Sequence, residues 1–199
     1  MNRKHVTIIT GLVLMLAGAV GAAEARTRHV HCKGAGTFAD GVETNIDTNG
    51  DGASATLDQG LENCNIGRFF FQEEGESIPR SVTSACPAGT DEEVYIDQTH
   101  GQQRAVLTDE KTGDQLFAKI TSETLCFNAS TFTFTSSGHA EFIGGTGKYT
   151  GATGPFDSHS AGSYLQFGFK GGPGGPFGGF GQFTFTGDGM LTLPHDHDE

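Results

Sequence analysis

Tryptophan does not occur in the 199 residues, and basic residues are scarce: 12 Lys and Arg stand against 24 Asp and Glu, a formal charge of −12. Without a basic cluster the chain lacks the footprint that neutralises phosphates, which excludes a nucleic-acid binder. Hydrophobic residues are only 35% of the chain and charged ones only 18%, yet 16 Phe supply enough rings for a core, so the composition is not that of a disordered chain. No apolar stripe of period 3.6 runs for three turns after residue 25, and 31 glycines argue against a helical bundle. No apolar run reaches the roughly 20 residues that a transmembrane helix needs, so no membrane span is expected once a leader is removed. The spacings GxSxG, HExxH, CxxC and the paired-His zinc pattern are also missing, which leaves no recognisable hydrolase, metalloprotease or redox motif.

What is present first is a leader. Arg3 and Lys4 precede an apolar run from Val6 to Val20, and Ala23 and Ala25 form an A-x-A cleavage pattern before Arg26. Residues 1–25 are therefore expected to be a signal peptide, residues 26–194 one domain and residues 195–199 (HDHDE) an acidic tail. A periplasmic or secreted location follows, and with it disulfide chemistry. Cys32, Cys64, Cys86 and Cys126 are even in number, which predicts two bridges; of the three pairings, that of sequence neighbours, Cys32–Cys64 and Cys86–Cys126, is preferred.

The remaining pattern has a period of two. Leu116, Ala118 and Ile120 share a face, as do Phe132 with Phe134, Phe167 with Phe169, and Phe183 with Phe185. Thr fills the intervening positions in STFTFTS and QFTFTG, as a wet outer face requires. Turn signals such as NGDG, PAGT, TGDQ and GDG punctuate these runs about every ten residues. The fold class is thus all-β, a sandwich or closed barrel. The segment KGGPGGPFGGFGQF reads as a loop ending near Gln182, either a lid carrying Phe177 and Phe180 or a plain insertion.

Residues 144–154 read GGTGKYTGATG, after the strand-like HAEFI. Neither GxxxxGK[ST] nor GxGxxG fits them, so the glycines serve the backbone. Gly144, Gly145 and Gly147 allow a bulge and a tight corner, with Tyr149 plugging the core beneath it and Gly151 and Gly154 completing the bend. Phe142, Gly144 to Gly147, Lys148, Tyr149, Gly151, Ala152 and Gly154 resemble the F-x-GGTG-[KR]-[FY]-x-G-A-x-G segment of the allene oxide cyclase and dirigent proteins and of exported bacterial proteins related to them. The resemblance is clearest over residues 138–169. It implies a calycin-like closed antiparallel barrel of about eight strands, often a homo-oligomer, with a cavity for a hydrophobic small molecule. The shared segment is a structural corner and brings no catalytic side chain with it.

Two further constellations carry chemistry. Residues 47–58, DTNGDGASATLD, follow the calcium-loop pattern: Asp47, Asn49 and Asp51 at alternate places, Gly52 for the turn, the Ala53 carbonyl, and Asp58 at the twelfth place. A plain Asx-rich hairpin turn explains the same residues without calcium. His139 with Glu141, and Asp157 with His159, each share one strand face, and pairing of their strands would gather two carboxylates and two imidazoles. Inside a barrel that is an acid–base set, outside it a wet face. Three functional readings follow: a barrel that holds a hydrophobic small molecule without catalysis, a cyclase or isomerase acting on an apolar substrate there, or a calcium-stabilised extracellular interaction domain.

Overall fold

The computed structural model describes residues 25–41, 54–77, 86–87, 91–95, 103–169 and 177–194. In chain order its elements are β1 (Arg26–Gly41), β2 (Ser54–Cys64), β3 (Gly67–Ser77), β4 (Asp91–Tyr95), β5 (Arg104–Asp109), β6 (Gln115–Asn128), β7 (Thr133–Gly145), a 3₁₀ turn (Gly147–Tyr149), β8 (Gly154–Phe169) and β9 (Phe177–Leu193). Every strand pairing among the described residues is antiparallel. The row β6–β5–β3–β2–β1–β9–β8–β7 returns to its start, because β7 also pairs with β6. The result is a closed eight-stranded antiparallel barrel. β4 prolongs the line of β5: β5 pairs with Gln115–Lys119 of β6 and β4 with Glu123–Phe127, while β7 takes the other edge.

The period-two pattern decides which residues enter the barrel. One buried apolar cluster gathers Val30, Cys32, Phe69, Leu116, Ala118, Phe142, Tyr149 and Leu191 towards the corner end. A second gathers Phe38, Leu125, Phe127, Phe134 and Tyr164 towards the other, where the rings of Phe38 and Tyr164 meet edge to face at 4.8 Å. The face shared by Leu116, Ala118 and Ile120 points inward, and Phe142 packs on Phe156 with ring centroids 5.6 Å apart. Both disulfides form between sequence neighbours, Cys32–Cys64 and Cys86–Cys126. Cys32 and Cys64 are direct partners in the β1–β2 ladder, with Cα atoms 4.1 Å apart, as suits the narrow type of antiparallel pair.

Two local expectations fail. Phe132 does not share a strand face with Phe134: it lies in the turn before β7 at φ +55° and is exposed. The glycine-rich segment does not stay a loop as far as Gln182, since β9 starts at Phe177 and pairs through Phe180 and Gly181 with both β8 and β1. Its glycines are needed inside the ladder. A Cβ at Gly181 would fall 2.1 Å from the carbonyl of Ser163 and 2.6 Å from the Phe38 ring. The strand tolerates glycine because neighbouring rings occupy the missing side-chain volume. The side chains of Phe167, Phe169 and Phe177 lie outside the described residues, as do residues 1–24, 170–176 and 195–199.

The corner closes one end. Gly147 adopts φ +52°, and a Cβ there would lie 1.9 Å from Asp114 Oδ1. Tyr149 is buried beneath the turn and donates its hydroxyl to Asp109 Oδ2 at 3.3 Å. Lys148 Nζ donates to the same oxygen at 2.6 Å, and the amides of Lys111 and Thr112 donate to Asp109 Oδ1. Burial drives the Asp109 carboxyl upward, but the bonds from Lys148 and the two amides outweigh it and hold the carboxyl below the ordinary range. Burial, then the Asp109 charge, push the Tyr149 phenol up.

Asp109 is 3% exposed, so its removal strands Lys148 and two amides. Asp109→Ala is expected to cost about 3 kcal/mol in urea denaturation at pH 7. Because the folded carboxyl ionises more readily than the unfolded one, this stabilisation is present above about pH 4 and is lost as pH falls further, so the wild type and the variant should converge in acid.

Candidate functional site

Between the two apolar clusters the barrel interior turns polar. β2 sends Asp58 and Glu62 inward, β3 sends Glu73, and β6 sends Glu123, so four carboxyls from three strands line one cavity of about 110 Å³. Its apolar walls include Phe69, Phe71, Leu116, Ala118, Phe142, Phe156, Phe183 and Phe185. A smaller void of about 50 Å³ shares Asp58, Glu123, Ser160 and Phe183 with it and reaches to Phe38 and Tyr164.

Local sequence explains how each acid arrives there. Cys64 faces inward to meet buried Cys32, so Glu62 and Asp58, two and six residues earlier, face the same way. Phe69, Phe71 and Glu73 share a parity on β3. On β6 the parity changes: Leu116, Ala118 and Ile120 point in, a register shift follows between Ile120 and Ser122, and Glu123 and Leu125 then point in. The bulge is what aims Glu123 at the cavity.

Three of the acids differ in their partners. Gln103 Nε2 donates to Glu73 Oε1 at 2.8 Å and to Glu123 Oε2 at 3.3 Å. The Ser136 hydroxyl donates to Glu123 Oε1 at 2.7 Å and lies 3.0 Å from the Ser160 hydroxyl. A hydrogen-bonded chain thus crosses the interior from Glu73 to Ser160. Glu62 stands outside it. It is 4% exposed, and its Oε1 has no hydrogen-bond partner. Burial pushes the Glu62 carboxyl up to about 8. Burial first, then the charge of Glu123, push Glu73 up to about 8 against the opposing bond from Gln103. Both groups are largely protonated at neutral pH, as an apolar enclosure demands.

The structure places the residues proposed from sequence elsewhere. His139 and Asp157 are direct partners across β7 and β8, and Nδ1 lies 2.5 Å from Oδ1, yet both side chains are exposed on the outer wall. His159 is also exposed, 3.0 Å from the Ser137 hydroxyl, and so is Glu141. The row continues outside: Asp157 faces Asp188 of β9, whose carboxylate holds His31 of β1 at 2.8 Å. Exposed pairs of this kind contribute about 0–1 kcal/mol each. Of the calcium pattern, Asp47, Asn49, Asp51 and Ala53 lie outside the described residues. β2 begins at Ser54, so Asp58 is a ladder residue facing Glu73, turned to the interior. Glu62 comes within 4.8 Å of the sulfurs of Cys32 and Cys64, but the disulfide consumes both thiols and leaves no thiolate for a metal.

The buried acids oppose folding as pH rises. Unfolded carboxyls ionise near pH 4.5, while Glu62 and Glu73 hold their protons to about pH 8, so the contribution of these two groups to stability is greatest below the unfolded value and falls as pH climbs through that window. Glu62→Gln is expected to remove roughly half of this slope, a relative gain on the order of 3 kcal/mol on going from pH 5 to pH 8. Urea denaturation of both proteins across the range measures it; parallel curves would contradict the assignment.

No protein-family model, curated protein or solved structure matches the chain.

Proposed function

We propose that this protein is an exported barrel that holds a small, largely hydrophobic molecule in its interior. The observation that carries the reading is the interior cavity of about 110 Å³, walled by Phe and Leu and bordered by Glu62, whose Oε1 has no partner. Ligand sites combine an apolar lining with a few placed polar groups, and this interior has both. Two disulfides support export. The cavity volume limits the guest to a few heavy atoms, since each water of the liquid occupies about 30 Å³.

One observation favours a second reading, that of a cyclase or isomerase. Burial keeps the Glu62 carboxyl protonated near neutrality, beside an apolar wall, which suits a general acid. Holding a guest needs no such proton transfer, so binding remains the first reading.

Native mass spectrometry of the protein from its own host is expected to show a retained mass that denaturing conditions release. Ala118 is 5% exposed and lines the cavity, so Ala118→Leu fills the space the guest needs. That variant should lose the retained mass and the thermal stabilisation that excess guest confers, about 2.7 kcal/mol at a hundredfold excess over Kd. A wild type that never carries a guest in either assay would end the reading.

A further inference from the structure

The interior has a surplus of hydrogen-bond acceptors. An ionised carboxylate accepts about four bonds and donates none, and a protonated carboxyl donates only one while keeping acceptor capacity. Four carboxyls line the cavity, yet three of them, Glu62, Glu73 and Glu123, meet few donors: one Gln103 nitrogen divides between Glu73 and Glu123, one hydroxyl, that of Ser136, serves Glu123, and Glu62 Oε1 has none. Among the described residues no Lys or Arg lines the cavity. His139 borders it, but its imidazole is exposed on the outer wall beside Asp157. Apart from His139, the titratable side chains that line this cavity are all acids: Asp58 and Glu62 from β2, Glu73 from β3 and Glu123 from β6; Arg28 of β1, whose Nε is buried, lies outside the lining and within electrostatic reach of Tyr149 at the corner end. Glu62 is the decisive one, since it is 4% exposed, borders the cavity and leaves Oε1 without a partner.

We propose that the guest of this barrel is a small protonated amine, whose ammonium group donates to Glu62 Oε1 and whose alkyl part lies against the Phe wall. The proposal rests on the reading of the interior as a small-molecule site and names the class of molecule. An ammonium brings three donors, no acceptor and one positive charge, which complements a site with surplus acceptors and no cation. A neutral ketone or ester adds another acceptor and leaves the surplus unchanged. The size of the cavity selects amines of about five heavy atoms.

Proton balance makes the idea measurable. Near neutrality the Glu62 carboxyl keeps its proton in the free protein. The amine arrives as R–NH3+, the carboxyl becomes a carboxylate, and its proton leaves to solvent, so total charge and protons are conserved. Affinity for the amine must then rise with pH below the carboxyl's folded value and level off above it, while a neutral alcohol of equal size shows no such rise.

The test is calorimetric titration of the purified protein with n-butylamine and with n-butanol at pH 6 and pH 8, each in phosphate and in HEPES. At both pH values the amine is protonated, as an alkylammonium titrates near the lysine range. The expected result is that n-butylamine binds at least about tenfold tighter at pH 8 than at pH 6, with close to one proton released at pH 6 and about half a proton at pH 8, values read from the difference in heat between the buffers. Glu62→Gln, checked for folding by circular dichroism, should erase both the preference for the amine and the proton release. Butanol binding with no amine preference, or amine binding without proton release, overturns the proposal while leaving the small-molecule site in place. Binding of neither probe removes both. If Glu62→Gln fails to fold, the pH dependence and proton release of the wild type decide the matter alone.

Discussion

Everything inside this barrel shares one fixed volume. Eight antiparallel strands enclose just enough space for side chains to fill, so each residue that turns inward displaces another. Glycine is how the chain manages this. Gly34 and Gly36 on β1 and Gly181 and Gly187 on β9 leave positions over which the rings of Phe185, Phe183, Phe38 and Phe156 lie. Large rings from a few positions then cover for the missing side chains. The interior sorts into an apolar end below the corner, an aromatic end above, and a polar belt between them.

That belt runs against the usual energetics. Burying a carboxyl costs several kcal/mol unless it is bonded or neutral, and here it is both: Glu123 and Glu73 share the Gln103 amide, and Glu62 stays protonated. The corner solves the opposite problem. Asp109 is ionised because Lys148 and two amides surround it. Two buried carboxyls in one domain thus lie on opposite sides of their ordinary range, each set by what touches it.

Much of the architecture was legible. Alternating Phe and Thr gave inward and outward faces, GGTGKYTG marked the corner, and the even cysteines paired as sequence neighbours. The acidic interior was not legible, and the reasons are physical. Acids in alternation look like a wet face, and on β2 the rule is inverted: Leu61 is exposed while Glu62, beside it, is buried. The parity of Cys64 held the missing signal, because a buried bridge fixes the facing of Glu62 and Asp58. Glu123 was hidden by the bulge after Ile120, which breaks the period that strand patterns depend on. The histidines offered as acid–base candidates drew notice because they pair in register, but register fixes neighbours and not the side of the wall on which they stand.

The Cys32–Cys64 bridge has a consequence for how the chain chooses its inside. A slip of one residue along β2 would turn Leu57, Gln59, Leu61 and Asn63 inward and send Glu62 and Asp58 out to water. The sulfurs can meet only in the register that does the reverse. Oxidation of two thiols therefore selects the solvent character of the barrel's interior: the bond that fastens two strands also decides that the hollow between them is lined with acid rather than leucine.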